Sequence, residues 1–315
     1  MGNQGGNARK VRHFAVFVLV WTTEPRLDSG MRICAITMVY RDHWALRQWY
    51  LHYARHLGPQ NLFIVVHGPD ASVPKICPEA NLITVPRDNL ASFDRMRSDL
   101  LNRIQDQMGD VYDWVIRTDV DELICLDPEH FESFAAMFDA YEDAQSLFAL
   151  GLDVIESADD AELGGEERVL EHRRHAVFSG HYSKAFAARR GTHLARHGIV
   201  NTATSAFTMP SGVYLVHLKY ANIDALQMSN EHRIEIANGT ETGLPGEAWR
   251  KARRQTLRFL HRFEALPHVD WPHASEMAYD LVSDTPETSA DKGVMRARSL
   301  QFDHRTILPE WFAQA

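Results

Sequence analysis

Cysteine is scarce in this chain: there are three in 315 residues, Cys34, Cys77 and Cys125, far apart and without metal-ligand spacing. An odd, scattered set excludes a disulfide framework and a thiolate metal cluster; it reads as reduced thiols in or near a core, which favours a cytoplasmic compartment. Basic charge is also short, with 33 Lys+Arg against 42 Asp+Glu and a formal net charge of −9. The chain as a whole therefore offers nucleic acid no attraction, and a polyanion would need a local basic patch. No Gly-x-Gly-x-x-Gly follows the first strand pattern, and there is no Walker-type loop, His-Glu-x-x-His or Gly-x-Ser-x-Gly. Dehydrogenase, NTPase, zincin and hydrolase readings lose their signatures.

Long apolar runs are missing too. Residues 14–21 form an apolar stretch behind Arg9, Lys10 and Arg12 that superficially resembles a secretion signal. It is far shorter than the ~20 residues a membrane span needs, and no small-residue cleavage site follows cleanly. Residues 1–30 are expected to be an N-terminal extension, disordered or loosely docked; a misassigned start would account for them equally. What remains, 45% hydrophobic and 24% charged, is the composition of an ordinary globular protein of one large or two small domains.

From Met31 the pattern alternates. Residues 32–40 are a nearly continuous apolar run, as in a parallel strand covered on both faces. Trp44, Leu46, Trp49, Tyr50, Tyr53 and Leu57 then recur at helical spacing until Gly58-Pro59. Strands are predicted at 62–66, 82–85 and 112–117, with a helix over 93–108 between the last two. This rhythm indicates βαβ units and a mainly parallel sheet. Later the pattern predicts a helix at 131–141 and strands at 146–152, 177–188 and 213–220. Helices are expected at 223–237 and 247–263. The eight acidic residues within 153–171 read as a solvated loop, with an acceptor-gripping lid as the other reading. No clear linker appears, so a core of 31–220 with a helical portion, 221–315, packed on it is the economical division.

The segment Tyr112-Asp113-Trp114-Val115-Ile116-Arg117-Thr118-Asp119-Val120-Asp121-Glu122 runs from an apolar strand into three carboxylates. If the chain stays extended, Asp119 and Asp121 share one face and Glu122 points away, so Glu122 is assigned orientation of the loop and not ligation. Mg²⁺ or Mn²⁺ would suit such oxygens and could bridge them to the phosphates of a nucleotide. The bland alternative is an acidic surface turn. Placement at the carboxyl end of a strand, where α/β proteins bind ligands, favours the metal. An EF-hand is excluded, because Ile124 falls where Gly is required and His130 where Glu is.

Ala35-Ile36-Thr37-Met38-Val39-Tyr40-Arg41-Asp42, the Trp/Tyr-rich helix, Leu62-Phe63-Ile64-Val65-Val66 and Asp119-Val120-Asp121-Glu122-Leu123-Ile124 together resemble a GT-A glycosyltransferase. Within that fold the chain is similar to the bacterial family 2-like group, over about residues 31–220. The resemblance implies an α/β, Rossmann-like fold with a mainly parallel central sheet flanked by helices. It also implies a nucleotide-sugar donor of UDP or GDP type, a Mn²⁺ or Mg²⁺ ion on the Asp-x-Asp motif, and a glycan or glycolipid acceptor in surface polysaccharide or glycolipid assembly. Two departures stand out: Arg41-Asp42-His43 replaces the usual Arg-Asn-Glu, and no base motif is recognisable downstream.

The resemblance assigns roles. Asp42 corresponds to the acid facing the nucleoside, and a helix N-cap is its other reading. Asp88 would touch base or ribose or merely make a turn, and Arg97 would contact the donor, with Arg95 a surface charge. Asp119 and Asp121 would hold the metal, Asp119 also serving the donor. His217, in an otherwise apolar strand, is either a satisfied core histidine or a late metal ligand, with Lys219 then available for phosphate. His197 is the rival for acceptor or phosphate contact. An inverting transfer needs a base; Asp153 is the choice, with Glu156 and His181 as alternatives. Arg250, Arg254, Arg258 and Arg262 give the 250–262 helix a basic face, either simply solvated or a peripheral contact to anionic lipid at the inner membrane face. The rivals are a sugar nucleotidyltransferase, which would carry a Gly-rich, Lys-containing turn after the first strand, and a non-catalytic glycan- or nucleotide-binding relative.

Overall fold

The computed structural model describes residues 30–87, 93–164, 166–195, 197–238, 251–284, 286–289 and 293–315. Asp88, Trp249, Arg250 and the 1–29 segment lie outside the described residues.

The first strand, β1 (Ile33–Val39), is buried at every position, as continuous apolarity requires of a strand covered on both faces. It pairs in parallel with β2 (Leu62–His67) and β4 (Trp114–Arg117), and β2 pairs in parallel with β3 (Asn81–Val85). Side chains alternate across this parallel core. Cys34, Ile36 and Met38 pack with Leu101, Ile104 and Met108 of a helix on one face. Ile33, Ala35 and Val39 join Leu46, Trp49 and Tyr53 of α1 (His43–Leu57) on the other. The helix of the first face is α3 (Phe93–Met108); a short α2 (Val73–Ile76) precedes it. The expected α/β architecture, a parallel central sheet flanked by helices, is thus what the structure shows.

Antiparallel strands extend it. The ten-stranded sheet runs β14-β7-β6-β8-β4-β1-β2-β3, with β11 between β5 and β6. These are β5 (Glu122–Leu126), β6 (Ser146–Ile155), β7 (His175–Phe178), β8 (Lys184–Ala188), β11 (Val213–Tyr220) and β14 (Thr306–Ile307). The stretch expected as one strand over 177–188 is interrupted: β7 and β8 both run antiparallel to β6, along successive parts of it, and residues 179–183 connect them. A second sheet orders β12 (Glu287–Ser289), β13 (Val294–Arg296), β10 (Gly198–Val200) and β9 (Leu194–Ala195). The remaining helices are α4 (Phe134–Ala140), α5 (Val169–His172), α6 (Ile223–Ala237), α7 (Ala252–Glu264) and α8 (Trp271–Ser283). On α7, Arg253, Arg254 and Arg258 are exposed, whereas Arg262 donates to the Gln301 side chain and the Phe302 carbonyl. Among the described residues no helix is long and apolar enough to cross a membrane. The three cysteines are free and buried.

The aromatic helix α1 does more than fill the core. Trp49 Nε1 donates to Thr118 Oγ1 (2.9 Å), and Tyr53 Oη accepts from the Ile124 amide (3.0 Å). His52 Nε2 donates to the Ile124 carbonyl (2.9 Å). One helix thus grips both limbs of the turn between β4 and β5. Burial, reinforced by His56, depresses the His52 pKa from 6.5 to about 3. Between those values the unfolded chain binds a proton that the folded chain refuses, so stability falls as pH drops below 6.5. His52 alone should cost about 2 kcal/mol at pH 5 relative to pH 7. His52→Gln keeps a donor for Ile124 and does not titrate. Urea melts at both pH values should show a loss smaller by that amount, and an equal loss in the two proteins would refute the assignment.

Candidate metal centre and adjoining cleft

Strand register assembles the centre. In β11, His217 is the direct partner of Glu122 on β5 and of Asp153 on β6, and directly opposed residues share a face of the sheet. His217 Nδ1 lies 2.6 Å from Asp153 Oδ1, and Nε2 lies 3.3 Å from Asp121 Oδ2. Asp121 itself is fixed because its carbonyl accepts from the Leu218 amide (2.8 Å). Burial opposes charge on His217, but Asp121 and Asp153 outweigh it and raise its pKa to about 9; His217 in turn holds Asp121 at about 2 against burial.

The motif is not extended. Val120 and Asp121 form a turn, with the Glu122 amide bonding back to the Asp119 carbonyl (3.1 Å). The strand alternation that would turn Glu122 away therefore does not apply. Its Oε2 accepts from the Asp119 amide (2.9 Å), so it does brace the loop, and its Oε1 lies 2.6 Å from Lys184 Nζ. Burial pushes the Glu122 pKa up to about 7. Asp119 has a cation on each oxygen: Arg97 on Oδ1, and Lys184 on Oδ2 at 3.0 Å. Burial works against its ionisation, yet these two cations hold it well below the usual carboxylate range.

Ligand atoms of Asp121, Glu122 and His217 lie within 4.8 Å of one another, a group that could hold a metal ion. Asp119 is outside this group. Both Glu122 oxygens are engaged, which leaves Asp121 and His217 Nε2, facing each other, as the donors for a cation. A carboxylate with an imidazole suits Mn²⁺ better than Mg²⁺, which prefers oxygen alone. The proton that His217 keeps between two carboxylates stands where a divalent cation would.

Above the sheet lies a cleft of about 450 Å³, lined by Asp42, Arg87, Arg97, Val120, Asn222 and Arg233 among others. Asp42 stands at the N-cap of α1, its carbonyl accepting from Leu46, and burial followed by Asp121 raises its pKa to about 6. Arg87 lies 3.4 Å over the Tyr40 ring, and its Nη1 is 2.7 Å from His67 Nδ1. Lys219, two residues beyond His217 on β11, is lowered by burial and by Arg233 of α6. Arg95 is a helix-surface charge, 3.9 Å from Asp99.

The 179–183 connection between β7 and β8 closes the other side. The Tyr182 ring stacks on His217 at 3.7 Å, an approach that Gly151 permits: a Cβ there would fall 2.2 Å from the Tyr182 carbonyl carbon. His181 is exposed in this connection, its pKa lowered by burial of the ring and by Lys184. His197, at φ 70°, donates from Nδ1 to the His181 carbonyl (2.8 Å). Glu156 is an anchor: Oε2 accepts from the Ile223 amide (2.7 Å) and Oε1 lies 3.4 Å from Arg173.

Asp42, Arg97, Asp119, Asp121, His217, Lys219 and Asp153 are therefore drawn around one centre. Lys184, Arg233 and Tyr182 join them without having been singled out from the sequence. Lys184 alone carried a signal, a lysine opening the apolar run Ala185-Phe186-Ala187-Ala188 that burial would require to be paired.

No protein-family model matches the chain, and none of the curated proteins does. Among solved structures it is similar to S. aureus TarS, with a TM-score of 0.33 and 13% identity over 75% of this chain and 44% of that one. The mannosyltransferase Ktr4p from S. cerevisiae in complex with GDP gives a TM-score of 0.26 and 12% identity, over 43% of this chain and 46% of that one. A 4-diphosphocytidyl-2C-methyl-D-erythritol synthase gives 0.28 and 12%, over 42% and 65%. The chain thus spans less than two thirds of each of these structures, and at such identities the reaction has to be read from the site itself.

Proposed function

We propose that the protein is a metal-dependent glycosyltransferase, moving a sugar from a nucleoside diphosphate donor of UDP or GDP type to a hydroxyl of a glycan or glycolipid. The observation that carries this reading is the approach of His217 Nε2 to Asp121, next to Val120, which lines a cleft together with Asp42, Arg97 and Arg233. Asp121 and His217 would hold Mn²⁺, which when bound neutralises charge on the departing diphosphate. Lys219 and Arg233 offer further positive charge to the same oxygens. Asp119 is assigned to holding Arg97 and Lys184 in place, with its donor contact made through Arg97. Asp42 faces the cleft where the nucleoside would sit. His181, exposed and with its basicity lowered by burial of the ring and by Lys184, is assigned as acceptor of the hydroxyl proton in place of Asp153, whose carboxylate is committed to His217.

A panel of UDP- and GDP-sugars incubated with the protein and Mn²⁺ should show slow release of nucleoside diphosphate from one donor, abolished by EDTA. No turnover with any donor, together with no Mn²⁺-dependent nucleotide binding, would overturn the proposal.

Asp153 orients His217 as carboxylates orient metal-bound histidines, by accepting from the ring nitrogen remote from the metal. Asp153→Asn should therefore weaken Mn²⁺ binding by about 10- to 100-fold in an EPR titration. An unchanged isotherm would remove that orienting role.

A further inference from the structure

A second cavity, of about 420 Å³, opens at the far end of β11. Tyr214 lines it, three residues before His217 and hence about 10 Å along the strand and on the opposite face of the sheet. It is thus separate from the cleft above. Its walls combine two features. Trp271 lies 5.1 Å from Tyr214 and 6.4 Å from Trp311 between ring centroids, so three rings form a corner. Around them stand four carboxylates, Asp127, Glu129, Glu276 and Asp280, and no lysine or arginine is among the described lining residues. Asp127 is held inward at 13% exposure, with Oδ1 on the Glu129 amide at 3.0 Å and the His130 ring 3.8 Å from Oδ2.

We infer that this cavity binds an organic ammonium cation. The ring faces attract a cation through their quadrupoles, and the carboxylates add charge that no lysine or arginine among the described lining residues cancels. The same charge repels phosphates and carboxylates, and competition by methyl glucoside separates a cation site from a sugar site. The inference is independent of the transferase reading.

The test uses the full chain and tetramethylammonium as probe, followed by saturation transfer to its N-methyl protons. Saturable binding with a millimolar Kd is expected, competed by choline and not by the neutral isostere 3,3-dimethyl-1-butanol. Glu276 and Asp280 are exposed on α8, so the double variant Glu276→Gln/Asp280→Asn should fold by circular dichroism and bind about three- to tenfold more weakly. Trp311→Phe, which keeps a ring with a weaker quadrupole, should also weaken binding. Absence of saturation transfer, equal competition by the isostere or by methyl glucoside, or affinities unchanged in both variants would overturn the inference.

Discussion

Asp121→Ala and His217→Ala should each lower Mn²⁺-dependent donor turnover by about a thousandfold, the usual loss when one preorganised electrostatic group at a reacting centre is removed. The two losses should not add, because each variant leaves a single ligand where the metal needs both. The reason lies in the wiring of the three carboxylates. Among the described residues Asp121 has only His217 as a side-chain ion-pair partner, so its charge is at the disposal of an incoming cation. Asp119 is already neutralised by Arg97 and Lys184. Asp119→Asn should therefore leave Mn²⁺ affinity within about threefold of wild type, because the loop is still braced by Glu122. It should instead raise the KM for donor, since Arg97 and Lys184 lose their common anchor. Calorimetric Mn²⁺ titration of the three variants decides the matter. Normal metal binding in Asp121→Ala, or its loss in Asp119→Asn alone, would show that the ligands have been assigned to the wrong aspartates.

How far the sequence disclosed this centre depends on the physics of each part. Strands β1, β2 and β4 were legible because strands buried on both faces must be apolar throughout, and few other structures demand that. The turn at Val120-Asp121 was not, since Asp-Val-Asp is as compatible with extended backbone as with a turn. What bends it is tertiary: Trp49, His52 and Tyr53 hold Thr118 and Ile124 on either side. His217 beside Asp153 could not be foreseen either, because pairing of β11 with β6 is a register fact at a separation of 64 residues. The acidic stretch 153–171 looked like a solvated loop since charge runs usually are. Asp153, Glu156 and Asp160 are in fact turned inward, and the group that turns the last two is a single arginine.

That arginine, Arg173, is 1% exposed and should be among the most sensitive positions in the chain. Its Nε donates to the Ala221 carbonyl at 3.0 Å and lies 3.7 Å from Asp160, while Nη2 lies 3.4 Å from Glu156. Glu156 in turn caps the Ile223 amide at the start of α6, the helix that brings Arg233 to the cleft. Arg173→Ala removes the only cation paired with Glu156 and Asp160 among the described ion pairs, and it opens a void. A loss of about 3–5 kcal/mol is expected from urea denaturation. Arg173→Lys keeps the charge without the forked geometry and should lose about 1–2 kcal/mol. Arg173→Met combined with Glu156→Gln and Asp160→Asn removes the buried charges together, and should recover most of the stability lost in Arg173→Ala. If the triple variant is stable yet its KM for donor is raised, the ion pairs serve chiefly to set α6 against the cleft. If Arg173→Ala lies within about 1 kcal/mol of wild type, the network carries no net stability and the loop is held by packing alone.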